Sequence, residues 1–283
     1  MHAIDALRKA DVNIVRLFGP EHGVRGEAQD MEAVSENVDP LTGIETVSLY
    51  GHEFESLVPE IDQVSDLDIV IADIQDIGAR YYTYVYTIGL MMKACGETDT
   101  QVWVVDRPNP INGIDVRGNI VREGWGSFVG MQPIAVRHGM TAGELALYFD
   151  RYAGWSCELT VLEMSGWKRS MWYDETGLPW VLPSPNMPTL DTATVYPGQC
   201  LLEGTNLSEG RGTTRPFELF GAPWVDAYEL AARMRDFELE GVRFRPVSFR
   251  PKFQKHADTT CAGLQVHVVD RDVFNSLEMS YAI

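Results

Sequence analysis

Residues 68–74 read DIVIADI, and residues 101–105 read QVWVV. Each is a short apolar run that ends in polar, Gly- or Pro-containing residues, which is typical of a buried strand. The stretch between them, residues 82–94, has helical character, so strand, helix and strand follow one another as in a βαβ unit. We therefore predict an α/β fold whose first part holds a parallel sheet.

The same alternation extends to both sides of this unit. NIVRLF at residues 13–18 predicts an earlier strand behind an amphipathic helix, and residues 158–163 predict a later strand. A helix is predicted over residues 141–152, where Thr141 and Glu144 have the spacing of a capping box. Ligands of open parallel sheets bind beyond the carboxyl ends of the strands. The polar clusters that follow the strands are therefore expected to meet in one crevice.

The second part of the chain has a different character. Four prolines between residues 178 and 190 disfavour regular structure, so we place a domain boundary between residues 182 and 183. Beyond it the pattern is typical of an α+β domain. The predicted elements there are a helix over residues 226–238 and strands at residues 242–249 and 263–269.

Composition narrows the class of protein. The 283 residues carry a formal net charge of −18. Such a charge repels phosphate backbones, so we do not expect the protein to bind nucleic acid. Four scattered cysteines without a CxxC pair exclude a dense disulfide framework and a cysteine-rich zinc site, but not one or two isolated bridges. No run approaches the roughly 18 apolar residues of a membrane-spanning helix.

The first chemical motif is GPEHGVRG at residues 19–26. Its glycines are not spaced as GxGxxG, Pro20 removes a backbone donor and Glu21 adds negative charge, all of which argue against a dinucleotide site. A glutamate beside His22 at a strand end suits proton transfer, so Glu21 is our candidate general acid. The alternative is that Glu21 only caps the following turn.

The second motif is DIQDIGARYYTY at residues 73–84. Asp73 and Asp76 are candidate catalytic carboxylates, and the polar, tyrosine-rich surface suits the stacking and hydrogen bonding of sugar rings. The alternative is structural: Asp76 would cap the helix and pair with Arg80.

The third motif is DRPNPING at residues 106–113. Its prolines fix the loop after a strand, which makes Arg107 and Asn109 candidate substrate contacts. A plain turn is the alternative interpretation.

The fourth motif is EGTNLSEGRGTTR at residues 203–215. Arg211, between glycines, is well placed to bind a carboxylate with both arms of its guanidinium. A metal site that includes Glu203 and Glu209 is not supported, because no metal-ligand spacing accompanies them.

Together these segments resemble, in order and type, a bacterial family of exo-β-N-acetylmuramidases long filed as a domain of unknown function. The resemblance covers nearly the whole chain. The matching stretches are the four motifs above, together with HGMTAGELA at 138–146 and SPNMPTL at 184–190. In the fourth motif the match extends to residue 218.

The resemblance implies a Rossmann-like domain over residues 1–182 and a smaller α+β domain over residues 183–283, with the active site in the cleft between them. It implies Glu21 as the catalytic carboxylate. It also implies that this chain lacks an initial strand and a closing C-terminal segment. Family members are exported to the cell envelope, although the N-terminus here does not have the pattern of a signal peptide.

The function predicted from the sequence is the release of terminal N-acetylmuramic acid from the non-reducing end of peptidoglycan fragments. Glu21 would act as the acid, and Asp73, Asp76 or the 2-acetamido oxygen of the substrate would stabilise or attack the anomeric carbon. No metal and no cofactor are expected, and the oligomeric state is left open. The alternative is a non-catalytic glycan-binding protein. The predicted substrate contacts are His22, Arg25, Gln75, Arg80, Tyr82, Arg107, Asn109, Asn186, Asn206, Glu209 and Arg211.

Overall fold

The computed structural model describes residues 2–26, 28–29, 38–50 and 57–283. The elements of its first part, in chain order, are α1 (Ala3–Lys9), β1 (Leu17–Gly19), β2 (Thr46–Ser48), β3 (Ile69–Ala72), α2 (Tyr84–Cys95), β4 (Gln101–Val105), β5 (Arg117–Ile120), β6 (Ala135–Arg137), α3 (Ala142–Tyr148) and β7 (Leu159–Leu162). Those of its second part are α4 (Leu190–Gln199), β8 (Leu219–Ala222), α5 (Ala227–Asp236), β9 (Val242–Phe249), β10 (Cys261–Val268) and α6 (Ser276–Ala282).

Parallel pairing organises the first part. β3, β4 and β7 form a parallel sheet in that order, and β1 pairs with β2 in a separate parallel ribbon. Val102 and Val104 of the central strand are fully buried, and helix α2 covers them with Ile88 and Met92. The predicted α/β class, with its parallel sheet, is thereby confirmed.

The earliest predicted strand is shorter than its apolar pattern suggested. Among the residues that the structure describes, strand pairing in this stretch is confined to Leu17–Gly19, and Val12 and Val15 are exposed. Apolar residues alone do not make a strand where no neighbouring strand satisfies their backbone groups.

Helix α3 begins as predicted. The Thr141 side chain accepts a hydrogen bond from Glu144 N, and the Glu144 carboxylate accepts one from Thr141 N, completing the capping box. Asp106, which follows β4, strengthens this helix end by accepting from Thr141 Oγ1 at 2.9 Å and Gly143 N at 2.8 Å. The helix continues beyond Tyr148 as a π-helix over Phe149–Ala153.

The second part is α+β, with an antiparallel sheet in the order β8-β10-β9. Helix α4 was not predicted, because prolines precede it and Pro197 lies within it. It is buried on almost every side, so it has no amphipathic period for the sequence to reveal. The signal that was present is Thr189, whose side chain accepts from Thr192 N.

One hydrophobic core joins the two parts. Its buried cluster contains Ile77 and Tyr82 from the first part, with Tyr196, Phe217 and Leu264 from the second. Tyr84 Oη also donates to the carbonyl of Pro183 at 2.6 Å. The division predicted between residues 182 and 183 stays a prediction.

A buried ion pair fixes the turn that carries the first motif. Arg25 donates from Nε and Nη2 to the two carboxylate oxygens of Asp39, at 3.0 and 2.9 Å. This pairing lowers the pKa of Asp39 to about 2. Because the lowered pKa means that the ionised form is favoured in the fold, Asp39 adds stability at neutral pH that is lost as the pH falls through about 4 toward 2.

We expect Asp39→Asn to reduce the free energy of unfolding by about 2 kcal/mol at pH 7, and the deficit to shrink below about pH 4. Urea unfolding across that pH range measures both effects. Asp66→Asn is the matched control, since Asp66 pairs with Arg16 at 2.7 Å but its side chain is 52% exposed, against 1% for Asp39. The control should lose less than about 1 kcal/mol. Equal losses would contradict the role of burial.

Candidate active site

Glu21 lies where β1 ends and helix α2 begins. It follows β1 in a tight turn in which His22 and Gly23 have positive φ angles of 72° and 81°. Its carboxylate oxygen Oε2 accepts a hydrogen bond from Thr83 Oγ1 at 2.7 Å. The residue is half-buried, so the carboxyl group is both held and accessible.

His22 is oriented by the same turn. Its Nδ1 lies 2.9 Å from the carbonyl oxygen of Ala28, which can only accept, so Nδ1 carries the proton. The ring packs edge-on against Tyr84, with centroids 6.3 Å apart. The buried imidazole thus stabilises the turn that presents Glu21.

Tyrosine side chains line the region beside Glu21. The rings of Tyr82 and Tyr84 meet edge to face at 4.8 Å. Burial raises the pKa of both phenols, so they stay protonated and act as neutral donors.

Asp76 is buried at the carboxyl end of β3. Its Oδ2 accepts from Gly78 N at 2.7 Å and lies 3.3 Å from His138 Nε2. His138 Nδ1 accepts from Met140 N, so in the neutral ring the proton sits on Nε2, facing Asp76. The alternative pairing of Asp76 with Arg80 is not what the structure shows.

Gly78, whose N–H group binds Asp76, has no room for a side chain. Its φ is +82°, and a Cβ atom there would lie 2.5 Å from Asn109 Oδ1 and 2.7 Å from Ile111. Only glycine therefore fits this position.

Asp73 and Arg107 follow adjacent parallel strands and meet at the carboxyl edge of the sheet. Arg107 Nε donates to Asp73 Oδ1 at 2.6 Å. The Arg107 side chain is 36% exposed, so part of its guanidinium faces solvent.

Three other side chains that were predicted to contact the substrate form hydrogen bonds with the protein backbone. Arg80 Nη1 donates to the carbonyls of Asn119 and Ile134, and Gln75 Nε2 donates to those of Asp76 and Pro108. Asn109 donates to the Met140 carbonyl and accepts from Ile111 N. Arg80 Nη1 and Asn109 Nδ2 thus hold buried loops, and the role of the three residues as substrate contacts stays a prediction.

The second part of the chain reaches the Glu21 turn through Asn186. This buried residue donates from Nδ2 to Gln29 Oε1 at 3.0 Å. Asn186 therefore lies close to the segment that follows the Glu21 turn, although it comes from a distant part of the sequence.

The fourth motif forms a charge cluster of its own. Arg211 donates from Nε and Nη2 to Glu203 Oε1, at 3.1 and 2.7 Å, and its guanidinium lies over the ring of Phe217. The buried Glu209 accepts from Lys255 Nζ at 3.1 Å. The carboxylate that Arg211 binds here is thus one of the protein's own. Asn206 is exposed, and its carbonyl lies 2.7 Å from His256 Nε2.

Aromatic contacts connect that cluster with the Glu21 region. Tyr82 packs edge-on against Tyr196 at 6.2 Å, and Tyr196 against Phe217 at 4.7 Å. With Tyr84 at one end and Arg211 at the other, they make a continuous path of packed side chains.

Sequence reasoning missed Thr83, His138 and Lys255. Thr83 stands within the second motif, and His138 opens the run at residues 138–146, so both lay inside stretches already singled out. Lys255 gave no local signal, because its partner Glu209 is distant in sequence.

Within the described ranges, no helix is long and apolar enough to cross a membrane. In the same part of the chain, no three His, Cys, Asp or Glu side chains form a group that could hold a metal ion. The four cysteines are free.

Comparison with solved structures identifies the same architecture in two proteins of Bacteroides fragilis NCTC 9343, both described as DUF1343 family proteins. One has a TM-score of 0.90 and 39% sequence identity, covering 100% of this chain and 72% of that one. The other has a TM-score of 0.77 and 31% identity, covering 98% and 71%.

Sequence comparison agrees. The chain is 46% identical over 273 residues to the peptidoglycan β-N-acetylmuramidase NamZ of Bacillus subtilis (strain 168). The aligned region covers 96% of this chain but only 65% of the length of that relative. Residues 1–191 match the N-terminal domain of the family described as exo-β-N-acetylmuramidase NamZ, and residues 194–283 match its C-terminal domain. On both domains, therefore, the chain belongs to the NamZ family of exo-β-N-acetylmuramidases.

Proposed function

We propose that this protein is a glycoside hydrolase that removes terminal N-acetylmuramic acid from the non-reducing end of peptidoglycan fragments. The observation that carries the proposal is the half-buried carboxyl of Glu21, held by Thr83 beside two tyrosines. Family membership supports the substrate class. Because that substrate derives from the cell wall, we also propose that the protein acts at the cell envelope or outside the cell.

In this mechanism Glu21 supplies the proton. It donates to the glycosidic oxygen as the bond from that oxygen to the anomeric carbon breaks, and the resulting carboxylate then accepts a proton from the attacking water. Such an exchange restores the acid for the next turnover.

The environment of the aspartates favours help from the substrate itself. Asp76 is only 4% exposed and faces His138, while Asp73 is bound by Arg107. Neither carboxylate is free to approach an anomeric carbon. The 2-acetamido oxygen of the sugar is then the group that attacks, and water opens the cyclic intermediate.

The lactyl carboxylate of muramic acid needs a cation on this acidic protein. Arg80 is buried and Arg211 already binds Glu203, with its side chain 11% exposed. Arg107 is itself paired with Asp73, but its side chain is 36% exposed, the most of the three arginines considered from the sequence. We therefore assign the lactyl contact to the part of its guanidinium that faces solvent.

We expect Glu21→Gln to lower kcat on a chromogenic muramic acid β-glycoside by about 10²–10⁴-fold, because the amide cannot donate the acid's proton. Binding of the sugar should persist. Glu97→Gln is the matched control, since Glu97 is exposed just beyond the far end of α2. A Glu21→Gln variant with wild-type kinetics would contradict the assignment of Glu21 as the general acid. Sugar binding without hydrolysis by the unaltered protein would instead favour a non-catalytic glycan-binding protein.

We expect Arg107→Lys to reduce the preference for muramic acid over N-acetylglucosamine glycosides by about 10-fold, since lysine keeps the charge but loses the two-armed contact. The ratio of the two kcat/KM values measures it. The exposed Arg122, changed to lysine, serves as the control. Undiminished discrimination in Arg107→Lys would show that the carboxylate is bound elsewhere.

Hydrolysis should survive a chelator and exhaustive dialysis, because a carboxylic acid donates its proton without a metal ion. The measurement is residual activity after EDTA treatment. Loss of activity that one added metal restores would contradict this mechanism, and His22, Asp73 and Asp76 would then have to be considered as ligands.

A further inference from the structure

The start of helix α2 differs from that of every other α-helix in the described ranges. The others begin at a residue whose side chain accepts a hydrogen bond from a first-turn N–H group: His2, Thr141, Thr189, Asp226 and Asn275. Helix α2 begins at Thr83, which makes no such bond. Threonine is a favourable capping residue, so the omission needs a cause.

The backbone at Thr83 explains how the cap is lost. Thr141 and Thr189 are extended, with ψ angles of 168° and 164°, which lets the hydroxyl reach over the first turn. Thr83 has helical angles, φ −68° and ψ −13°. Its hydroxyl instead donates to Glu21 Oε2, across 62 residues of sequence. A local rule is broken here in favour of a contact with the proposed acid.

The rest of Thr83 is rigidly held. Its carbonyl accepts from the backbone N–H groups of Tyr86 and Thr87, each at 3.0 Å. The helix that follows is buried along most of its length. A donor on such a support has a fixed direction, which is what the orientation of a reacting group requires.

We infer that Thr83 is a positioning residue for Glu21. Its hydroxyl occupies Oε2, so the acid's proton is carried on Oε1, the oxygen left for the glycosidic oxygen of the substrate. This inference rests on the proposed function, because it gives Thr83 a task only if Glu21 is the acid.

The test compares three variants of the 283-residue protein. Thr83→Val keeps the shape and removes the hydroxyl, and Thr83→Ser keeps the hydroxyl. Thr87→Val is the matched control, since Thr87 lies one turn along α2 and its hydroxyl is directed at the Thr83 carbonyl, 3.4 Å away. We expect Thr83→Val to lower kcat by about 10–100-fold with KM within about 2-fold of wild type, because a hydrogen bond to a reacting carboxyl is lost.

Two further measurements distinguish a positioning role of Thr83 from a purely structural one. The melting temperature of Thr83→Val should match that of Thr87→Val, because the hydroxyl caps no backbone group. Thr83→Ser should recover most of the lost kcat. A Thr83→Val enzyme with wild-type kcat overturns the inference, and so does a Thr83→Ser enzyme as slow as Thr83→Val.

Failure of the proposed function gives a different result. In that case Glu21→Gln itself retains full activity, whereas failure of the inference alone leaves Glu21→Gln inactive and Thr83→Val active. A crystal structure of Thr83→Val adds a readout that needs no activity. A reoriented Glu21 carboxyl supports the inference, and an unmoved one overturns it.

Discussion

Parallel pairing of β3 with β4 is the interaction on which the rest of the structure depends. Because the two strands run in the same direction, Asp73 and Arg107 leave the sheet at the same edge and meet there. Helix α2 must return across the sheet between them, so its N-terminus lies at that edge as well. The hydroxyl of Thr83 is thereby brought to Glu21, which arrives from the separate ribbon of β1 and β2.

The second part of the chain contacts the residues around Glu21 at this edge of the sheet. Asn186 donates to Gln29 just after the Glu21 turn, the Pro183 carbonyl accepts from Tyr84, and Tyr196 packs against Tyr82. The apolar cluster that contains these rings is shared by both parts. The second part therefore contributes directly to the packing of the tyrosines beside Glu21.

Much of this arrangement was predictable from the sequence, and the reason for each failure is specific. The parallel sheet and the capped start of α3 followed from short-range patterns, which DIVIADI and the Thr141–Glu144 spacing display directly. Helix α4 escaped because complete burial removes the amphipathic period. Arg80, Asn109 and Arg211 were predicted as ligand contacts by residue type, and that role stays a prediction. What the sequence could not show is the partners that the folded chain supplies: Arg80 Nη1 and Asn109 Nδ2 donate to backbone carbonyls, and Arg211 donates to Glu203. The reverse holds for Thr83, a residue of ordinary type whose partner lies 62 positions away.

The close packing at Gly78 has a consequence for anyone who would redesign this protein. The main chain there passes so near Asn109 and Ile111 that a single methyl group would collide with both. The loops after β3 and β4 are consequently locked to each other at a point with no spare volume. Libraries aimed at a new sugar specificity should hold this position constant and diversify positions near Arg107, whose side chain is 36% exposed.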